Sequence, residues 1–352
     1  MVPSTGMGRC RCIITLVSLA AAALAVAGAP GCASGRAAEA AKEPIAATAV
    51  TAGAAAASPA PSSGPGAPSE LAGWGARRLA AQLVFCSVPA SRPLAGRRLA
   101  RMGVGGIVIL GGGARGSIGR DLATVLKAAP GDVKPFIASD EEGGQVQRLR
   151  YVIYPLPSAR VMGRWSVSRN RATARDYGAR LRKLHVSVVF GPVADLDVPG
   201  RYMSSLDRCF SSRPEAVGSR VVAWVTGMRR SRVLTTVKHW PGHGWAADTH
   251  TGAARVPSLS VLRRRDMVPF EQAFAAGVPL VMVGHLRSKG LTGDRTPASL
   301  SRNAMRYLRS RVGDETVIVT DSLSMAATTT ALGIKTPAAA VRAQWSDRKS
   351  TR

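Results

Sequence analysis

Thirteen residues from 238 to 250, Lys-His-Trp-Pro-Gly-His-Gly-Trp-Ala-Ala-Asp-Thr-His, carry three of the chain's five histidines together with a lysine and an aspartate. Imidazole titrates near neutral pH, so such a cluster can move protons, ligate a metal or form part of a nucleophilic triad. Its glycines and prolines make the segment too irregular for a helix, and its charges make it too polar for a core. It follows Val-Leu-Thr-Thr-Val at 233–237, a β-branched run that reads as a buried strand, so the ionisable groups begin at that strand's C-terminal tip. Parallel α/β proteins collect their chemistry at this end of the strands.

The same arrangement recurs along the chain. Apolar β-type runs at 82–85, 105–110, 135–139, 186–193, 233–237, 279–283 and 316–320 make seven candidate strands. Amphipathic stretches at 118–129, 171–184, 214–228, 263–276 and 302–311 alternate with them as crossover helices. This pattern suits an α/β fold of the (β/α)8 TIM type better than a dinucleotide-binding sheet. Five successive tips carry ionisable groups: Asp140 and Glu141, Asp195, Lys238 and His239, His285, and Asp321. One such tip is explained by a turn or a helix cap; five in succession point to a shared polar pocket.

The chain has 352 residues, 46% of them apolar, enough for one large packed domain. Arg9 and Arg11 precede an apolar run at 13–27 that ends in small residues before Cys32, the pattern of a secretory signal peptide over 1–32. Ala29-Pro30-Gly31-Cys32 resembles a lipoprotein signal, which leaves two readings: simple secretion, or membrane anchoring through a lipidated Cys32. Residues 33–69 are mostly Ala, Pro, Ser and Gly and read as a flexible tether, so the folded domain is expected over 70–352. Beyond the leader only Cys32, Cys86 and Cys209 remain, too few for a disulfide framework or a cysteine-based metal site. The net charge of +27 comes from arginines scattered along helices, with no aromatic-basic motif, so no nucleic-acid partner is expected. Anionic wall polymers or lipid head groups suit this charge better.

Five segments carry a family resemblance. They are Asp140-Glu141-Glu142-Gly143-Gly144-Gln145-Val146-Gln147-Arg148-Leu149, Gly191-Pro192-Val193-Ala194-Asp195-Leu196-Asp197, Asp207-Arg208-Cys209-Phe210, Lys238-His239-Trp240-Pro241-Gly242-His243-Gly244 and Thr320-Asp321-Ser322-Leu323-Ser324-Met325. In this order they resemble glycoside hydrolase family 3, most closely the bacterial β-N-acetylglucosaminidases that act on peptidoglycan fragments. The resemblance implies a retaining exo-glycosidase that needs no metal or cofactor and works as a monomer on a saccharide containing N-acetylglucosamine. Asp321 would be the carboxylate nucleophile, and His250 the general acid/base assisted by Asp248 in the pattern Asp-x-His. Lys238, His239, Arg208 and Asp140 would hold sugar hydroxyls, with Asp195 near the pocket and His285 on its wall. Either Glu141 or Glu142 would pair with Arg148 to brace the site. His243 would fix its loop, His185 would be a solvated helix end where the family usually has glycine, and Trp240, Trp245 and Cys209 would pack. Stacking of Trp245 on a sugar ring is a further option. A phosphorylase using the same histidine, and a sugar-binding lipoprotein without turnover, are the alternatives.

The chain departs from the family pattern near its end. A helix is expected to begin at Ala338-Ala339-Ala340-Val341-Arg342-Ala343, but 344–352 is short, polar and basic. The barrel is therefore expected to lack its eighth strand and closing helix, leaving two open sheet edges.

Overall fold

The computed structural model describes residues 12–16, 71, 73–252, 254–293 and 296–329. Cys32, the 33–69 tether and the helix expected from Ala338 lie outside them. In chain order the elements begin with β1 (Cys12–Leu16), α1 (Ala76–Gln82), β2 (Val84–Pro89), α2 (Gly96–Arg101), β3 (Gly106–Leu110), α3 (Ile118–Lys127) and β4 (Phe136–Ser139). A hairpin of β5 (Glu141–Gly143) and β6 (Val146–Gln147) follows, then α4 (Ala159–Met162), α5 (Val167–Lys183), β7 (Val188–Val189), α6 (Tyr202–Ser205) and α7 (Pro214–Arg230). The remainder is β8 (Leu234–Trp240), β9 (Ala254–Arg255), α8 (Leu259–Arg264), α9 (Val268–Ala275), β10 (Leu280–Val283), β11 (Leu286–Arg287), α10 (Arg302–Val312), β12 (Val317–Thr320) and α11 (Ala326–Thr329).

Strands β2, β3, β4, β7, β8, β10 and β12 pair in that order, all parallel, and are the seven that the apolar runs predict. The eighth position is not empty. Strand β1 lies antiparallel between β12 (Thr15↔Val319) and β2 (Ile13↔Phe85) and closes the ring. Among the described residues no eighth parallel strand follows β12, as expected; residues that the sequence assigns to the leader pair antiparallel across the gap instead. Two open edges present unpaired N–H and C=O groups, and an apolar β-type segment can satisfy both.

Strand alternation divides the core. Val108, Leu280, Met282 and Val319 point into the barrel with Phe85 and Phe190, whose rings lie 6.3 Å apart, so the lower lumen is filled. Their neighbours Ile107, Ile109, Val281, Val283 and Ile318 face the helical layer. There α3 buries Ile118, Leu122 and Val125 at helical spacing. Ser166 and Ser301 cap α5 and α10 by accepting from the backbone N–H groups of Arg169 and Ala304. Helices α5 and α7 approach closely at glycine: a Cβ on Gly227 would lie 2.5 Å from the Arg171 carbonyl oxygen. Among the described residues no helix is long and apolar enough to cross a membrane.

Candidate active site

The groups at the strand tips surround a cavity of about 520 Å³ at the C-terminal end of the barrel, within the range that holds small organic ligands. One wall is an ion-paired cluster. Asp140 follows β4 and Glu142 lies two residues on, so strand alternation turns both toward Lys238 and leaves Glu141 facing away. The Lys238 ammonium donates to Asp140 at 2.8 Å and lies 2.6 Å from Glu142. Arg208 forks onto Glu142, its Nε and Nη2 each at 2.8 Å, and Arg148 donates to Asp140 at 3.1 Å. Burial alone would raise the Glu142 carboxyl, but Arg208 and Lys238 override it and hold the group well below the usual carboxylate range. Burial likewise opposes charge on Lys238, yet Asp140 and Glu142 keep it protonated. The pairing expected between Arg148 and a glutamate is corrected: Arg148 binds Asp140, and Glu142 serves Arg208 and Lys238.

Behind this wall Asp195 is fully buried and off the cavity surface, so it does not reach a ligand as expected. It accepts from the His239 backbone N–H at 3.1 Å, from His239 Nδ1 at 2.7 Å and from the His243 backbone N–H at 2.7 Å. Burial would raise its carboxyl, but His239 keeps it ionised. A carboxylate here fixes the proton on Nδ1 and leaves Nε2 of His239 for the cavity it lines. The Lys238–His239 and Trp240–Pro241 peptide bonds are cis. His243 also reaches the cavity wall and holds its loop, with Nε2 3.5 Å from the Thr249 hydroxyl. Burial and the neighbouring His239 push its imidazole down to about 4, so it is neutral.

Asp321 stands at the tip of β12, where its backbone N–H donates to the Val283 carbonyl and its Oδ1 accepts from the Ser322 N–H at 2.7 Å. Burial would raise this carboxyl; His285 and His239 nearby lower it, so it is an anion at neutral pH. His285 does not line the cavity, contrary to expectation. It is buried beneath the Asp321 turn, with Nδ1 2.7 Å from the Ser299 hydroxyl and Nε2 donating to the Ser322 carbonyl at 2.9 Å.

Opposite, Asp248 accepts from both the backbone N–H (2.9 Å) and Nδ1 (2.7 Å) of His250. The pair is a dyad whose imidazole, 62% exposed, offers Nε2 as its free nitrogen. Burial would raise the Asp248 carboxyl, and the two bonds from His250 more than offset it.

The remaining oddities resolve as packing. Trp240 is buried against Tyr307, Cys209 lies in a small cluster with Val193 and Met203, and Trp245 sits off the cavity beneath Arg265 rather than facing a ligand. His185 is exposed with φ 64°, the left-handed conformation that favours glycine at this position. Among the described residues no group of three or more His, Cys, Asp or Glu side chains is placed to hold a metal ion.

The glycosyl hydrolase family 3 N-terminal domain matches residues 79–344. The beta-hexosaminidase LpqI of Mycobacterium tuberculosis is 38% identical over 219 residues, 59% of this chain and 56% of LpqI. The beta-hexosaminidase of Stenotrophomonas maltophilia is 33% identical over 224 residues, 61% of this chain and 65% of that protein. The chain therefore spans little more than half to two thirds of the length of these curated relatives. Among solved structures, M. tuberculosis LpqI superposes with a TM-score of 0.67 at 34% identity, covering 77% of this chain and 80% of that one. A family 3 beta-N-acetylglucosaminidase from Paenibacillus superposes with a TM-score of 0.68 at 29% identity, covering 76% and 53%. With the family matched over well more than half its length and the same barrel beneath it, the chain belongs to glycosyl hydrolase family 3, through that family's N-terminal domain.

Proposed function

We propose that the chain removes terminal non-reducing β-N-acetylglucosamine from peptidoglycan fragments or related oligosaccharides by a retaining double displacement. One observation carries the reading: an ionised aspartate, Asp321, and an imidazole with its Nε2 free, His250, line the same sugar-sized cavity. In the first step the Asp321 carboxylate attacks the anomeric carbon while His250 protonates the departing oxygen. In the second, His250 takes a proton from water, which attacks the glycosyl ester and frees Asp321. Asp248 stabilises the imidazolium present before the first step and regenerated in the second; between them the ring is neutral. Asp140, Arg148, Arg208, Lys238 and Nε2 of His239 hold the sugar hydroxyls in a geometry already set by their ion pairs.

The test is turnover of a chromogenic β-N-acetylglucosaminide, followed by NMR of the first-formed anomer with and without phosphate. β-Product first, with no sugar phosphate, supports the reading; α-product first overturns it. A β-N-acetylglucosaminyl 1-phosphate would favour the phosphorylase reading, for which the exposed histidine in place of a second carboxylate leaves room for an anionic acceptor. Binding without turnover would favour the sugar-binding alternative. The N-terminal sequence supports export and, through Cys32, a lipid anchor on the extracytoplasmic face, with the 33–69 tether beyond it. The mass of the N-terminal peptide from the native host decides this, because a chain starting at lipidated Cys32 has lost the residues that form β1.

A further inference from the structure

The end of the barrel away from the cavity carries a surface of a different kind. Four segments lead from helices into strands there, at 101–105, 128–136, 182–187 and 229–233, and backbone bonds set them side by side. The Phe136 N–H donates to the Gly105 carbonyl, the Ser187 N–H to the Ile137 carbonyl and the Leu234 N–H to the Ser187 carbonyl, each at 2.9 Å. The first two segments expose hydrocarbon. Of six large apolar side chains that are exposed among the described residues, Met102 (56%), Val133 (43%) and Phe136 (45%) fall on this pair. Phe136 leans on Phe85, with ring centroids 6.4 Å apart, and still leaves almost half its surface outside. The other two segments expose charge, on Arg182, Lys183, Arg230 and Arg232. Arg101 stands beside Met102, and the four segments contain one acidic residue, Asp132. An apolar cluster bordered by cations marks a surface built to meet something other than water.

We infer that this rim is a docking surface for an anionic lipid bilayer. The guanidinium and ammonium groups meet phosphate head groups, while Met102, Val133 and Phe136 enter the hydrocarbon just beneath them. The apolar half decides between occupants. A soluble polyanion would satisfy the arginines and leave three hydrophobic side chains in water, whereas a bilayer takes up both. The position also leaves the cavity open: docked by the N-terminal ends of its strands, the barrel turns the opposite end, where the cavity lies, toward the solution. This contact needs neither the reaction proposed above nor lipidation of Cys32, so it stands or falls by itself.

The test is co-sedimentation of the full chain, shown by intact mass to carry no lipid, with vesicles of phosphatidylcholine alone or mixed with phosphatidylglycerol. We expect partition into the mixed vesicles, little into phosphatidylcholine alone, and release in high salt. Lys183→Gln/Arg230→Gln/Arg232→Gln should weaken the partition about 100-fold, and Met102→Ser/Val133→Ser about 10-fold. All these positions are exposed, and a thermal midpoint equal to that of wild type checks that the fold is kept. Arg255→Gln/Arg263→Gln/Arg264→Gln removes the same charge from exposed positions on the segment after His250 and should change the partition by less than about threefold. The four proteins share the apolar N-terminal run, so differences between them belong to the rim. No partition into anionic vesicles would overturn the inference, as would equal losses from the two triple variants, which would reduce the effect to overall charge. An unchanged partition of Met102→Ser/Val133→Ser, with polyglutamate bound as tightly as the vesicles, would make the rim a polyanion site and overturn it too.

Discussion

The two halves of the cavity are built on opposite principles. The wall proposed to bind the sugar is sunk into the barrel: the side chains of Lys238 and Glu142 are 3% and 2% exposed, and their charges neutralise one another through bonds of 2.6–2.8 Å. The side proposed to transfer the proton is a surface loop whose histidine is 62% exposed. A wall that must present fixed donors to a sugar gains from being locked before the ligand arrives. A group that must give and recover a proton gains from solvent contact and a pKa near the working pH. On the proposed function, stability is concentrated in one half and turnover chemistry in the other, and mutations should separate the two.

The largest effect is expected from Glu142→Ala, which leaves the buried Arg208 without its partner and Lys238 with only Asp140. Breaking a buried pair in this way costs about 3–5 kcal/mol, read as a lower midpoint in urea unfolding; a loss below about 1 kcal/mol would mean that the wall is not pre-set. His250→Ala should do the converse. It should lower kcat/KM by about 10²- to 10⁴-fold while changing unfolding by no more than about 0.5 kcal/mol, as is usual for exposed positions. A large stability loss would erase the distinction between the halves.

A smaller and pH-dependent effect is expected from Glu141, which faces away from the cavity and accepts from Ser139 at 2.6 Å and Tyr177 at 2.7 Å. Burial raises its carboxyl from 4.5 to about 7. The folded chain thus keeps a proton that the unfolded chain releases, and this contribution is full below the unfolded value and lost as pH climbs through about 7. Glu141→Gln should flatten the fall in stability between pH 4.5 and 7 by a few kcal/mol at most. The comparison is made against wild type because neutral, buried His243 runs in the opposite sense over part of that range, and only the difference isolates Glu141. An unchanged slope would show that Glu141 titrates normally.

Much of this was legible in the sequence. Seven β-branched runs became seven parallel strands because burial on both faces demands apolar residues at every position. Boundaries moved where local chemistry competes. The first run shifts to Val84–Pro89 because Ala76–Gln82 is rich in good helix formers. The run at 186–193 pairs regularly only at Val188–Val189, before Pro192, which has no N–H to give a ladder. The helix expected at 263–276 divides ahead of Pro269, which sits in the first turn of α9, where its missing N–H is not needed, rather than inside a continuous helix.

The site was legible as a set of residues but not as a set of partners. Asp140, Arg148, Arg208, Lys238, His239, His250 and Asp321 do meet around one cavity. Asp195 and His285 sit behind it, because a strand tip can direct a side chain into the pocket or beneath the next turn, and local sequence carries no sign of which. The bond from Arg208 to Glu142 spans 66 residues, so no local pattern announces it. The spacing of Asp140 and Glu142 is the exception: two apart on an extended segment, they had to share a face.

The account turns on Asp321 as the atom donor to the sugar. A fluorinated N-acetylglucosaminyl fluoride, slow enough to let the glycosyl ester accumulate, followed by proteolysis and peptide mass spectrometry, examines it directly. We predict one added fluoro-N-acetylglucosaminyl mass on the peptide containing Thr320-Asp321-Ser322, and none in Asp321→Asn. A label on any other carboxylate, or undiminished turnover by Asp321→Asn, would contradict the account.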